Sequence, residues 1–503
     1  MSRAGFRYLL IWGGLLGAAC SPSVRVPTPL VADVGADVDA APGEVPDTAP
    51  ADTTVDLQDV DVAVADAVPD VPGVTPDIID AADIGQDSQD ISLPEICNGL
   101  YGDIVAPPKL LVADLPECVS CTWKPLPPMH KARDYHEGAW LGDKFYVWGG
   151  GSLIGVPCPP AVPAGSGCAE ATGESYDPKT NLWTMLPQAP LYPSGMPRVT
   201  TDGQRLYVYG DNQYGGPTPW ATNPAPVASF DPATATWKAL PLENSPGFRS
   251  RPAFAWTGNR LLAWGGGLAG PAGKAGPAGA YDPTTDKWMP LPAVPGPAIE
   301  GVFSGPGWSG THLFVLDPPT ANDGPWDFGL AFGPADAIWS AFPGRPPLVP
   351  PETFIPGGLN WSWYGAVPLS GGFVGRGRHS NKPFRLLRFD FASCTYEWLA
   401  MPTMQGGVPV TDTSMHIIGD WLIVLALRGG QDFGGIIYHM PTANWYRLNH
   451  PEAGYYRDNY ATAVGAERLY LAGGVGSADS PQQWVWMDGW ILDGPWNNAG
   501  GQP

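Results

Sequence analysis

Tyr281-Asp282-Pro283-Thr284-Thr285-Asp286-Lys287-Trp288, followed by Met289-Pro290-Leu291-Pro292 and preceded by Gly265-Gly266-Gly267, is one copy of a unit that this chain repeats. An aromatic, Asp-Pro, a polar turn, Trp seven positions after the aromatic and then Leu-Pro recur from Tyr176 to Trp183 and from Phe230 to Trp237. Looser copies end at Trp339, Trp398 and Trp445. Units of roughly 45 to 60 residues with short strands and Gly-rich punctuation cannot bury a hydrophobic face alone and must stack on copies of themselves. The pattern therefore reads as an all-β array of the propeller kind. Asp-Pro-x-Thr is a tight turn in which Asp caps backbone amides and Pro fixes φ, so Asp177, Asp231 and Asp282 read as structural.

These residues resemble the kelch family of β-propellers, whose blades carry a Gly pair after the second strand, a Tyr on the third and a Trp on the fourth. Gly149-Gly150, Gly265-Gly266, Gly429-Gly430 and Gly473-Gly474 match the Gly pair. Tyr176 with Trp183, Phe230 with Trp237, Tyr281 with Trp288, Phe332 with Trp339 and Tyr438 with Trp445 match the aromatic pair. The resemblance covers residues 121–492 and implies four-stranded blades around a central channel. Three units depart from it: Asp211 follows a single Gly210, Asp317 stands where glycine is expected, and two extra residues separate Phe389-Asp390 from Trp398.

Taken in order, the blades are expected at about Arg133–Pro187, Arg198–Pro241, Arg249–Pro292, Ala298–Pro343, Trp361–Pro402 and Thr411–Leu448, with a seventh unit from Arg457 to Leu492. That last unit has no Trp seven places after Met487-Asp488. Leu110 to Trp123 parallels Leu386 to Trp398, with Asp114 against Asp390 and Cys118 against Cys394. The amino-terminal end is thus expected to supply the outer strand of the last blade, and a second strand beside it remains open, with Trp123 as the replacement. Such closure leaves no free sheet edge. Seven blades result, or six if blade five is degenerate.

Outside the repeats, the chain of 503 residues has a formal net charge of −22 and 22 tryptophans. That aromatic area supports a packed core, so the abundant Gly and Pro read as strand ends and turns. Arg3 and Arg7 precede an apolar run from Tyr8 to Ala19, the shape of a secretory signal and too short for a mature membrane span. Its ending, Gly17-Ala18-Ala19-Cys20, resembles the lipobox of bacterial lipoproteins, although the leucine is one place early at Leu16. That resemblance implies lipidation at Cys20, with Ser21 favouring the outer membrane; the alternative is a plain secreted protein. Residues 21–95 hold fifteen Asp, two Glu, one Arg and no aromatic, which gives a local charge of −16. Such a segment cannot bury enough apolar surface to offset the entropy of ordering and reads as an extended tether. The acidity therefore belongs to the tether, and no basic patch for nucleic acid is found. Residues 96–120 form a cysteine-containing lead-in and 493–503 a tail. Without Cys20, six cysteines remain, which in an exported chain favours disulfides, with Cys158 and Cys168 the best pair. Cys118-Val119-Ser120-Cys121 lacks the second half of a zinc site and reads as structural.

A propeller binds ligands at the mouth of its channel. Arg133, Arg249 and Arg457 each stand twelve residues before the first apolar residue of a second strand, and Arg251 lies close by. On one rim they would suit an anion; alternatively each pairs with a backbone carbonyl or a neighbouring Asp. Trp361 and Trp363 could stack on a sugar ring or repack blade five. Two enzyme alternatives arise from resemblance. Tyr135-His136 and Tyr438-His439 are similar to the Tyr-His pair of kelch-type copper radical oxidases, but His130, His312, His379, His416 and His450 show no ligand spacing. Arg133, Arg249, Arg457 and Glu300 could serve a sialate mutarotase-like reaction. The expected protein is a monomeric, exported, lipid-anchored binding or interaction module at a bacterial cell surface. Its expected ligand is a carbohydrate or a protein, with no cofactor, no metal and no catalytic residue.

Overall fold

The computed structural model describes residues 110–497 apart from 153–167, 211–224, 251, 269–277, 293–303, 317–328, 335–337, 342–361, 379–384, 394, 404–413, 426–433, 451–456, 458, 477–483 and 486. Seven four-stranded antiparallel sheets make a seven-bladed β-propeller. Blade one shows the local logic: Glu137–Leu141, Lys144–Trp148, Gly173–Asp177 and Leu182–Met185 run up and down from the channel outwards. The remaining inner strands are Arg198–Thr201, Ala253–Trp256, Ser304–Trp308, Ser362–Leu369, Met415–Ile418 and Ala461–Gly465. Each touches the inner strand of the next blade, and the last touches the first, so the ring is closed.

Closure is made as the sequence leads one to expect, with a single amino-terminal strand. Thr122–Leu126 pairs along its whole length with Gly489–Asp493, Trp123 opposite Leu492, as the outer strand of blade seven. The parallel drawn between Leu110–Trp123 and blade five holds only at that strand. Val112–Asp114 is a short 3-10 helix, while the third strand of blade seven comes from the carboxy-terminal side. The lead-in instead straps the outer rim. Val112 N–H donates to Thr403 after blade five, and Cys118 N–H donates to Arg447 on the outer strand of blade six. Cys118 is joined to Cys121 by a disulfide.

The five aromatic pairs stand directly opposite one another on third and fourth strands, with ring centroids 4.7–5.4 Å apart. In blade five the residue opposite Phe389 is Tyr396, also seven places on, whereas Trp398 faces Leu387. That blade therefore has no two-residue insertion; Tyr has replaced Trp in the repeat. Between blades, side chains of adjacent sheets merge into one apolar wedge: Phe145, Tyr176, Trp183 and Tyr470 fill the space between blades seven and one. Phe314 stacks on Phe373 at 4.8 Å between blades four and five. Such contacts, non-directional but extensive, supply most of the stability.

The Leu-Pro that follows each Trp has a further role. The indole N–H of Trp183 donates to the carbonyl of Pro127, that of Trp237 to Pro187, that of Trp339 to Pro292 and that of Trp123 to Asn449, all at 2.8–2.9 Å. In each case the acceptor lies one or two residues after the outer strand of the preceding blade, so the indole N–H is satisfied across the blade boundary. The Asx turns also form: Asp177, Asp231 and Asp282 each accept from the amide two residues on at 2.8 Å.

This topology sorts the connections by length. First-to-second and third-to-fourth strand turns, such as 142–143 and 178–181, lie on one face. Second-to-third connections, such as 149–172 and 473–488, and all blade-to-blade crossings belong to the other.

Candidate functional site at the loop-bearing mouth of the channel

The arginines identified by spacing lie on this loop-bearing side, and all three are buried. Arg133 Nη1 donates to the carbonyls of Gly149 and Thr172 at 2.8 Å, and the guanidinium pairs with the buried Glu174 carboxylate at 3.4 Å. Arg249 Nη1 donates to Gly265 O at 2.8 Å, and Arg457 Nη1 to Gly473 O at 2.8 Å. Arg457 also pairs with Asp488. Each arginine thus reaches the first glycine of its own blade's Gly pair, sixteen residues ahead. The glycines turn through positive φ, 70° and 85° at Gly149-Gly150 and 63° and 98° at Gly473-Gly474, which leaves their carbonyls facing inward. A Cβ on Gly473 would overlap the His136 ring. The guanidinium groups therefore follow the second alternative, as internal latches at the start of the inner strands.

Arg251, Trp361, Glu300, Cys20, Cys97, Cys158, Cys394, His379, Gly429 and Gly430 lie outside the described residues. Trp363 falls on the inner strand of blade five, opposite Gly377. Cys168 pairs through its backbone with Ser152. Among the described residues no group of three or more His, Cys, Asp or Glu is placed to hold a metal ion. Tyr438 packs against Trp445 while its neighbour His439 stacks on Trp421 at 4.3 Å and contacts the Thr442 hydroxyl at 2.9 Å.

What the structure does bring together lies where blades six, seven and one meet. After Arg133 come Asp134 and Tyr135; Tyr135 has φ 53° and is 42% exposed. A bulky residue in the left-handed region is costly and tends to be retained at functional positions. Its N–H donates to Asn459 O at 2.9 Å, and Asn459, the matching residue of blade seven, has φ 54°. The next residue, Tyr460, brings its hydroxyl to 2.9 Å from Ser414 Oγ at the head of blade six, and Ser414 Oγ lies 3.1 Å from His416 Nε2. Two sets of polar contacts, joined through the backbone of Asn459-Tyr460, therefore link blades one, seven and six.

The electrostatics of this region follow from burial. Asp134 is pushed up to about 6 by loss of solvent, partly offset by the Gly151 amide. His136 is held down at about 3 by burial and then by the positive charge of Arg133, with Arg457 adding less and the Ala472 backbone contact opposing the shift. Burial alone holds His416 down at about 4, which makes it a neutral imidazole near pH 7. On the other side of blade one, Arg198 pairs with Glu137, which also accepts from Val199 N–H at 2.7 Å and ties blades one and two at their inner strands.

The fold and this arrangement define the molecule as a seven-bladed β-propeller with a polar, partly strained channel mouth. Comparison with protein-family models finds no match, and none of the curated proteins matches the chain.

Proposed function

We propose that this protein is an exported, lipid-anchored binding module of a bacterial cell surface that holds a carbohydrate or protein ligand at the loop-bearing mouth of its propeller. The observation that carries the reading is Tyr135, an exposed aromatic kept in a left-handed backbone conformation beside a carboxylic acid with a raised pKa. An aromatic face with adjacent hydroxyl, amide and carboxyl groups suits a sugar ring or a peptide segment. The kelch-like spacing, the signal-like residues 1–20 and the acidic stretch 21–95 support presentation away from a membrane surface.

The test is a glycan array, run with a surface-protein pull-down, comparing residues 105–503 with the Tyr135→Gly variant of the same chain. Binding that is lost in the variant supports the reading. Binding that is unchanged places the ligand elsewhere and overturns it. Metabolic labelling with a palmitate analogue tests the anchor: incorporation should vanish in Cys20→Ala, and its absence from the unsubstituted chain excludes lipidation.

A further inference from the structure

The repeat supplies its own comparison for each position. Through strand register, His416 opposite Ile423 corresponds to Ala139 opposite Tyr146, Thr200 opposite Tyr207, Ala255 opposite Leu262 and Ala463 opposite Tyr470. Blades four and five have Gly307 opposite Phe314 and Val367 opposite Val374 there, so the position takes residues from Gly to Val, and blade six alone of the seven has a histidine. Packing does not require it. Ser414, two residues earlier on the same face of the strand, and Tyr460 at the head of blade seven complete a set whose hydroxyls and imidazole lie 2.9 and 3.1 Å apart. Ser414 and Tyr460 are only half-buried, so desolvation does not force their hydroxyls to find protein partners.

We propose that Ser414 is a nucleophilic serine and that the propeller carries an acyl-transfer activity toward carboxylic esters small enough to enter the channel mouth. The inference goes beyond ligand binding and does not rest on it. A serine hydroxyl becomes a competent nucleophile when a neutral imidazole nitrogen accepts its proton, and 3.1 Å is the distance at which that occurs. Burial keeps His416 in the neutral form that can accept.

In the proposed step, Ser414 Oγ attacks the ester carbonyl carbon while its proton passes to His416 Nε2. The carbonyl π electrons move to the oxygen, toward which the Tyr460 hydroxyl can donate. Collapse breaks the bond to the alcohol, which leaves with the proton from His416. Water then adds to the acyl carbon as its proton passes to the same nitrogen; collapse breaks the bond to Ser414 Oγ, which takes that proton back from His416, and the carboxylic acid leaves. Ser414 and His416 are the catalytic residues; Tyr460 stabilises charge and positions Ser414.

The test uses the full chain and a biotinylated fluorophosphonate, which traps an activated serine with loss of fluoride. One adduct is expected, on the peptide containing Ser414. It should be absent in Ser414→Ala and form at least about tenfold more slowly in His416→Ala. Because four other blades hold Ala or Thr at that position, His416→Ala should melt at the temperature of the unsubstituted chain, which separates catalysis from folding. No adduct on the folded protein, an adduct that persists in Ser414→Ala, or an unchanged rate in His416→Ala would each overturn the proposal.

Discussion

The indole N–H of Trp123 donates to the carbonyl of Asn449 at 2.8 Å, a contact between residues 326 positions apart in the chain. The Trp123 ring also meets His450 at 5.0 Å and Trp490 edge-on at 6.5 Å. One strand thus closes the ring by backbone pairing and locks to the preceding blade by the same indole bond that recurs in blades one, two and four. Trp123→Phe keeps the ring and removes the donor, so it should cost about 1 kcal/mol in urea unfolding. Trp123→Ala, which also leaves a cavity, should cost about 3 to 5 kcal/mol.

A chain beginning at residue 105 should melt like the full chain, since the acidic stretch cannot bury enough apolar surface to contribute. One beginning at residue 128 loses the outer strand of blade seven and leaves Gly489–Asp493 as an open edge. Thermal unfolding of the shorter chain should be non-cooperative, with aggregation visible by light scattering.

Substitution of Arg133 should act on stability before it acts on any ligand. Arg133→Met leaves Gly149 and Thr172 carbonyls and the buried Glu174 without their charged partner. A loss of about 3 to 5 kcal/mol is expected in denaturant unfolding. Arg133→Met with Glu174→Leu should recover part of it, because removing both members of a buried pair is less costly than removing one.

Tyr135→Gly should have opposite effects on stability and binding. Glycine adopts φ 53° without the penalty a side chain meets there, and the exposed ring gives up little packing, so stability should rise by about 1 kcal/mol. The same change should abolish ligand binding at the mouth. A fall in melting temperature would show that the ring is held by packing.

The pH dependence has a sign fixed by three groups. His136 and His416 bind a proton less tightly folded than unfolded, so their contribution is complete above about 6.5 and is lost toward 3 and 4. Asp134 binds one more tightly folded, so it favours the folded state at low pH and that contribution disappears between 3.8 and about 6. Between pH 4.5 and 6 the two histidines outweigh the one aspartate, and stability should fall by about 1.4 kcal/mol per pH unit on acidification. His416→Ala should bring that slope close to zero and Asp134→Asn should roughly double it, read from urea midpoints.

Much of the fold was legible because the repeat places Tyr, Trp and Gly at fixed offsets that only stacked sheets explain. The closing strand could be read from the missing Trp of the last unit and the surplus Trp123. Blade five misled because Trp398 resembles the repeat's Trp, whereas backbone register puts Tyr396 there. The lead-in could not be read from sequence: its backbone bonds to Thr403 and Arg447 depend on neighbours 291 and 329 residues away. Offset counting found the three arginines but not their acceptors, since Gly-Gly signals a turn without showing which way a carbonyl points. Ser414, His416 and Tyr460 escaped motif reading because two blades contribute them and no linear spacing joins them. Aligning the inner strands would have exposed His416 as an imidazole in a column of Gly, Ala, Thr and Val.

Ring closure by the first and last strands is tested most directly by native-state hydrogen exchange, read by mass spectrometry on peptides covering 119–128 and 487–494. Lys124 faces Ile491 and Pro125 faces Trp490, so the bonded amides of both peptides should exchange as slowly as those of Lys144–Trp148 and rise together on global unfolding. Exchange of 119–128 within seconds, at the rate of an unpaired terminus, would contradict the closed seven-bladed ring.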